Sequence, residues 1–225
     1  MRLFLHMPKC AGSSVRKLLE DMAPAELHLD YESYFGFPFP ERSSKMIDAL
    51  FNPIKAPANK IVYGHFYPMK YIGSGLADHD VLVTIIRDPV KRLLSHYKFW
   101  KSGYFPGHYL WRKMKDENWS FSQFSLCNEM KNFYSQYLYQ VKLSDFSYIG
   151  VYEDIEKSVI EILKILNINN NLKLELPHYN KTDENERIGM DKNLEEEIRY
   201  FHAEDCLMYD YVIKKWHDAL RQQPL

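Results

Sequence analysis

The sequence is poor in cysteine: its 225 residues include three, Cys10, Cys127 and Cys206. An odd number at wide spacing makes neither a zinc-ligand pattern nor a disulfide framework, and it fits a reducing compartment. An excess of one charge is also missing. Lys and Arg number 29 against 30 Asp and Glu, for a formal net charge of −1. No global field draws the chain to nucleic acid, so any anion site has to be local. No run approaches the roughly 18 apolar residues of a membrane span. The opening MRLFLHMPKC carries one Arg and an apolar run broken by His and Pro, too short for a signal-peptide core. A cytoplasmic location is the expectation. Repeats are absent, and the one biased tract is NINNN at 167–171.

The rest is ordinary globular usage, with 46% hydrophobic and 26% charged residues. The length suffices to bury a core without disulfides or metal staples. No composition shift divides the chain, so a single domain over 1–225 is expected. Aromatics stand at 15%, with 17 Tyr.

Continuous apolar runs mark buried parallel strands at 2–6, 60–65, 80–87 and 146–154. Helical spacing comes after the first run at 15–22, with Ser13 or Ser14 as its cap. It comes after the third beyond Pro89, through Leu93, Leu94, Tyr97 and Trp100. Residues 23–59 read as a Pro- and aromatic-rich loop with one helix at 45–51. A Ser-capped segment at 120–126 and a helix over 128–140 come next. The stripe Ile155, Val159, Ile162, Leu163, Leu166 marks another helix, and 193–216 closes as one or two more. Strands alternating with helices give an α/β fold, a parallel sheet with helices on both faces.

The first strand runs into HMPKCAGSS, residues 6–14. A strand, a small-residue turn and a helix expose backbone N–H groups at the positive end of the helix dipole. That arrangement binds phosphate or sulfate. Ala11 and Gly12 let the backbone approach, Ser13 and Ser14 add hydroxyls, and Lys9 adds a mobile charge. The order differs from GxxxxGK[ST], because Lys9 precedes Gly12 and no upstream glycine is present. The third strand ends in IIRDPVKRLLSHY, residues 85–97. Arg87 stands at its C-terminal end, where open α/β sheets bind ligands, with a planar fork suited to phosphate. Ser95 lies two helical turns on, and Asp88 can cap that helix or hold Arg87. Two separated anion sites fit one ligand charged at both ends. A kinase with a variant phosphate loop, using Asp80, Asp88 or Asp154 for magnesium, is an alternative. So is a non-catalytic anion-binding protein.

The two motifs, in this order, resemble the 5′-phosphosulfate loop and the 3′-phosphate motif of sulfotransferases that use 3′-phosphoadenosine 5′-phosphosulfate (PAPS). YGHFYPMKYIG at 63–73, YIGVYEDIEKSVIEILKIL at 148–166 and HYNKT at 178–182 resemble segments of the heparan sulfate 2-O-sulfotransferase-like carbohydrate branch. The resemblance implies a P-loop-NTPase-like parallel sheet flanked by helices, with PAPS as co-substrate, 3′-phosphoadenosine 5′-phosphate (PAP) as product and no metal. It implies that Lys9, Cys10, Ala11, Gly12, Ser13 and Ser14 hold the 5′ end, Arg87 and Ser95 the 3′-phosphate, and Asn180, Lys181 and Thr182 close the site. Lys9 and His65 become the catalytic pair, His65 as general base, its ordinary pKa lying near the operating pH. The acceptor is a hydroxyl compound, a glycan first and a small metabolite or lipid second. The chain departs from the branch in lacking a Golgi anchor and in its 23–59 segment, whose aromatic group around Tyr31–Phe39 either lines an acceptor pocket or packs as a loop. His6 is read as a packed strand residue, and His79 and His96 as surface or helix residues. The basic run Lys98, Lys101, Arg112, Lys113, Lys115 is read as a solvated face.

Overall fold

The computed structural model describes residues 1–32, 34–73, 75–168 and 190–221, with side chains to residue 216. Five parallel strands form one sheet, β1 (Arg2–Leu5), β2 (Leu27–Leu29), β3 (Ile61–Gly64), β4 (Val81–Ile86) and β5 (Tyr148–Val151), in the order β2-β3-β1-β4-β5. The interior strands are buried on both faces, which is why Leu-Phe-Leu and Val-Leu-Val-Thr-Ile-Ile read as unbroken apolar runs. The middle strand is β1. The chain leaves β1 for β2 and β3 on one side and for β4 and β5 on the other, a topological switch point.

Register aligns the strand ends. Leu5 pairs with both Gly64 and Thr84, and Ile86 pairs with Val151. The next residues, His6 and His65 on one side and Arg87 and Tyr152 on the other, therefore emerge together at one edge of the sheet.

Helix α1 (Gly12–Met22) leaves that edge first. Its cap is Ala11 in the left-handed region, with no side-chain bond, rather than Ser13 or Ser14. The sharp strand-to-helix turn sets this geometry. The 23–59 loop contains an edge strand, β2, and a longer helix α2 (Phe39–Phe51) whose first turn accepts Pro40. After β3 comes the single-turn α3 (Met69–Ile72). Helix α4 (Pro89–Ser102) comes after β4. Asp88 caps it, its carboxylate accepting the Lys91 N–H at 2.9 Å, and Gly103 ends it. Helices α5 (Tyr109–Asp116) and α6 (Phe121–Ser125) lead on, α6 opened by a Ser120–Gln123 capping box. The single helix expected over 128–140 is broken. A 3₁₀ turn at Asn128–Met130 and α7 (Phe133–Tyr137) flank Asn132, which sits at φ 48°. Helix α8 (Ile155–Ile165) buries Val159, Ile162 and Leu163 against the sheet. Helices α9 (Lys192–Phe201) and α10 (Ala203–Arg221) close the chain. Among the described residues no helix is long and apolar enough to cross a membrane.

Candidate functional site

The loop between β1 and α1 holds two non-glycine residues in the left-handed region, Lys9 at φ 71° and Ala11 at φ 67°. Such strain costs on the order of 1–3 kcal/mol per residue and persists where surrounding structure enforces it. Gly12 has a specific reason to be glycine. A Cβ there would lie 1.5 Å from His6 Nε2, so the imidazole fills the space a side chain would take. The Gly12 carbonyl in turn accepts the Tyr63 hydroxyl at 2.7 Å.

A cavity of about 270 Å³ opens beside this loop. It brings together Lys9, Ala11, Gly12, Ser13, Ser14, Arg87, Ser95 and His65, residues singled out in three separate stretches of sequence. Cys10 does not join them. It is buried beneath the loop, and burial pushes its thiol up to about 11. Asn180, Lys181 and Thr182 lie outside the described residues.

Lys9 is drawn down to about 8, by burial first and by the Arg87 charge second. Its ammonium rests 3.9 Å from the Phe99 ring centroid. The Arg87 guanidinium lies 4.1 Å from the Tyr152 centroid, as the β4–β5 register dictates. Its Nε is buried with no partner among the described residues. Two cations held close enough to repel, one with an orphaned donor, form a site electrostatically completed by an anion. No Asp or Glu among the described residues lines this cavity. Asp80 binds the N-terminal amine at 2.8 Å and Asp154 pairs with Lys157 at 3.1 Å. Asp88 caps α4 and pairs with Arg199 at 3.0 Å rather than with Arg87. All three candidate carboxylates of the kinase alternative have partners elsewhere.

His65 comes after Gly64, whose own φ of 156° and close approach to the Asp30 carbonyl leave no room for a side chain. His65 Nδ1 lies 2.7 Å from the His6 carbonyl oxygen. A carbonyl only accepts, so Nδ1 carries the proton and Nε2 keeps a free lone pair. Burial takes the ring down to about 4, so it is neutral near pH 7. His6 is packed as expected, though past the strand rather than in it, and His96 is a helix residue as expected, though buried rather than at the surface. His6 stacks on Tyr63 and lines the cavity. His96 is 6% exposed and lines it too, as does His108. Phe35, Phe99, Trp100, Met130, Phe133 and Tyr137 complete an aromatic, apolar wall.

Tyr134, not evident from the sequence, ties the Cys10 loop to Arg87. Its hydroxyl accepts the Arg87 N–H at 3.0 Å and donates to the Arg87 carbonyl at 2.6 Å. The one phenolic proton is thereby used, so the Cys10 thiol 3.6 Å away is the donor in that contact. Asp205 on α10 accepts the Tyr134 N–H at 3.0 Å and so fixes the start of α7. Tyr134→Phe leaves the Arg87 N–H buried and unpaired. The expected cost is about 1–3 kcal/mol of stability, together with a higher KM for the donor, read by thermal unfolding and initial rates.

Five histidines, three of them buried and His65 and His108 half-buried, share one pH consequence. Burial lowers His6 and His96 well below 6.5 and takes His65, His108 and His202 to about 4. The unfolded chain binds these protons near 6.5 and the folded chain does not until about 4 or below. Stability is therefore full above 6.5 and is lost as pH falls through that window. Asp205, raised to about 6 by burial, opposes this between 3.8 and 6. One carboxyl against five imidazoles leaves the acid loss dominant. The melting temperature is expected to drop steadily from about pH 7.5 to about pH 5 in thermal unfolding by circular dichroism.

No curated protein matches the chain. A sulfotransferase of Alicyclobacillus acidocaldarius is similar at 14% identity, over 91% of this chain and 92% of that one, with a TM-score of 0.47. The mouse sulfotransferase SULT7A1, solved in complex with PAP, is similar at 15% identity over 76% of this chain and 59% of its own, with a TM-score of 0.46. The model of the sulfotransferase family matches residues 3–218, from the first strand through the last helix and across every element that shapes the cavity. The chain belongs to the sulfotransferase family.

Proposed function

We propose that this sulfotransferase takes its sulfuryl group from PAPS and delivers it in line to an acceptor hydroxyl, with His65 as general base. The observation that carries the reading is the shared cavity. Lys9, the 11–14 loop, Arg87, Ser95 and His65 line one space at the carboxyl edge of the sheet. The residues suit a donor with charge at both ends: the loop and Lys9 at one, Arg87 and Ser95 at the other, 3′-phosphate end. The orphaned Arg87 Nε is the donor such a phosphate would use.

In this reading the sulfur–oxygen bond to the 5′-phosphate breaks as the bond to the acceptor oxygen forms. Lys9 neutralises charge gathering on the bridging oxygen that leaves with PAP. His65 Nε2 takes the acceptor proton. The enzyme positions and stabilises, and forms no covalent link itself. A bound polyanion also counteracts burial at His65 and raises its pKa toward a more effective base.

Incubation with ³⁵S-labelled PAPS and a panel of oligosaccharides, phenols and hydroxylated lipids tests this, with γ-labelled ATP as control donor. Label is expected to move from PAPS only. Transfer from ATP would return the kinase reading. The resemblance favours a carbohydrate hydroxyl, whereas the aromatic wall beyond His65 favours a different acceptor body.

A further inference from the structure

Behind that wall lies a second cavity of about 780 Å³. The two spaces are back to back. Phe35 and Tyr137 face the first, Tyr67 faces the second, and their rings stack within 4.7–6.1 Å of one another. The same short segments supply both sides: His108 lines the first cavity and Tyr109 the second, Met130 the first and Glu129 the second. The partition is two stacked rings thick.

The outer cavity is walled by Phe39, Met46, Ile47, Tyr109 and Tyr139. Three of these are open to solvent at its mouth, Phe39 being 66% exposed. Two of its polar residues, Tyr67 and Arg42, are buried. Tyr67 is fully buried, and its hydroxyl has no partner among the described residues. Arg42 is 5% exposed, with its guanidinium 4.6 Å from the Phe35 centroid and 5.4 Å from that of Phe39. No carboxylate among the described residues lies within ion-pair distance of it. Lys113 adds a second cation to the lining, and Glu129 is the one acid there among the described residues. A buried guanidinium on aromatic faces, facing a cavity and with no described carboxylate in ion-pair range, suits an acidic ligand. An apolar pocket with a few convergent polar groups is the usual form of a small-molecule site.

We propose that this cavity holds the body of the acceptor. The acceptor is a hydroxyl compound with an apolar ring system and an acidic group. Its rings lie along Phe39 and Tyr67, its acid meets Arg42, and its hydroxyl reaches His65 when the Phe35–Tyr137 stack, closed at 4.7 Å in this structure, separates. The assignment rests on the sulfotransferase site described above, and it selects the substrate class of that site.

The test is direct binding, with and without PAP, of 6-hydroxy-2-naphthoate and of 2-naphthol, which lacks the acid, measured by calorimetry. The native protein is expected to bind the naphthoate at least tenfold more tightly. Arg42→Gln is expected to erase that preference while PAP affinity is unchanged. Equal affinity for the two probes, a preference that survives Arg42→Gln, or tighter binding of maltotetraose than of either overturns the proposal. If Arg42→Gln does not fold, Ser43→Trp fills the same cavity from α2. Both probes are then expected to be lost with PAP binding kept, and retained probe binding overturns the proposal equally. Failure of PAP to bind, with the naphthoate preference intact, counts against the donor reading and not against this one.

Discussion

His65→Ala is expected to lower kcat by about 10²–10⁴-fold, the usual range for loss of a general base, with PAP binding retained. The His6 carbonyl holds Nδ1, which leaves Nε2 as the only ring nitrogen able to take a proton from an acceptor. The ring contributes little to the anion sites, so cofactor affinity should not track kcat. His65→Gln offers an amide of similar reach that accepts a hydrogen bond but no proton, and should be as slow as alanine. Because burial takes the free ring to about 4, the acid limb of kcat/KM should lie well below the range of an ordinary histidine. Rapid-quench turnover with labelled donor, beside equilibrium titration of PAP, separates the two effects. Near-normal turnover in His65→Ala would move the role to another cavity histidine, with His6 first because its ring centroid is 4.1 Å away.

The chemistry of the site was legible where it is carried by local chain geometry. β1 and β4 are buried on both faces, so their runs are unmistakable. Each of them ends in a turn whose residue types suit an anion: small residues and Lys9 in one case, Arg87 and an Asp-Pro cap in the other. The unread parts depend on tertiary packing. β2 has three residues, two of them exposed, and pairs on one side only. Its pairing comes from β3 and not from its own sequence. His96 looked like an ordinary helix position because nothing in α4 foretells that Trp100, Phe124 and Phe133 close around it. Tyr134 lies in a five-residue helix whose placement is set by Asp205, 71 positions away. The outer cavity is assembled from α2, α5 and the 128–139 segment, and no one of them carries a ligand signature alone.

Lys9→Met is expected to lower kcat/KM for PAPS by about 10²–10³-fold, the scale for removing one preorganised charge from a developing anion. The effect should fall on kcat as well as KM, since the charge on the leaving oxygen grows toward the transition state. Lys9→Arg should recover little, because a planar fork cannot reproduce a point charge on a bridging oxygen. Stability supplies the control. Lys9 is a half-buried cation repelled by Arg87, and its pKa of about 8 records that the protein disfavours its charged form. The folded pKa lies below the ordinary 10.5, so this charge destabilises the fold at neutral pH, and the penalty fades as pH rises through 8. Methionine keeps the stem on Phe99 and removes the repulsion. The variant is therefore expected to melt at the same temperature as the native protein or higher at neutral pH, while losing most of its activity. A melting temperature that falls together with kcat/KM would make Lys9 a structural residue and return the leaving-group role to the loop amides and Arg87.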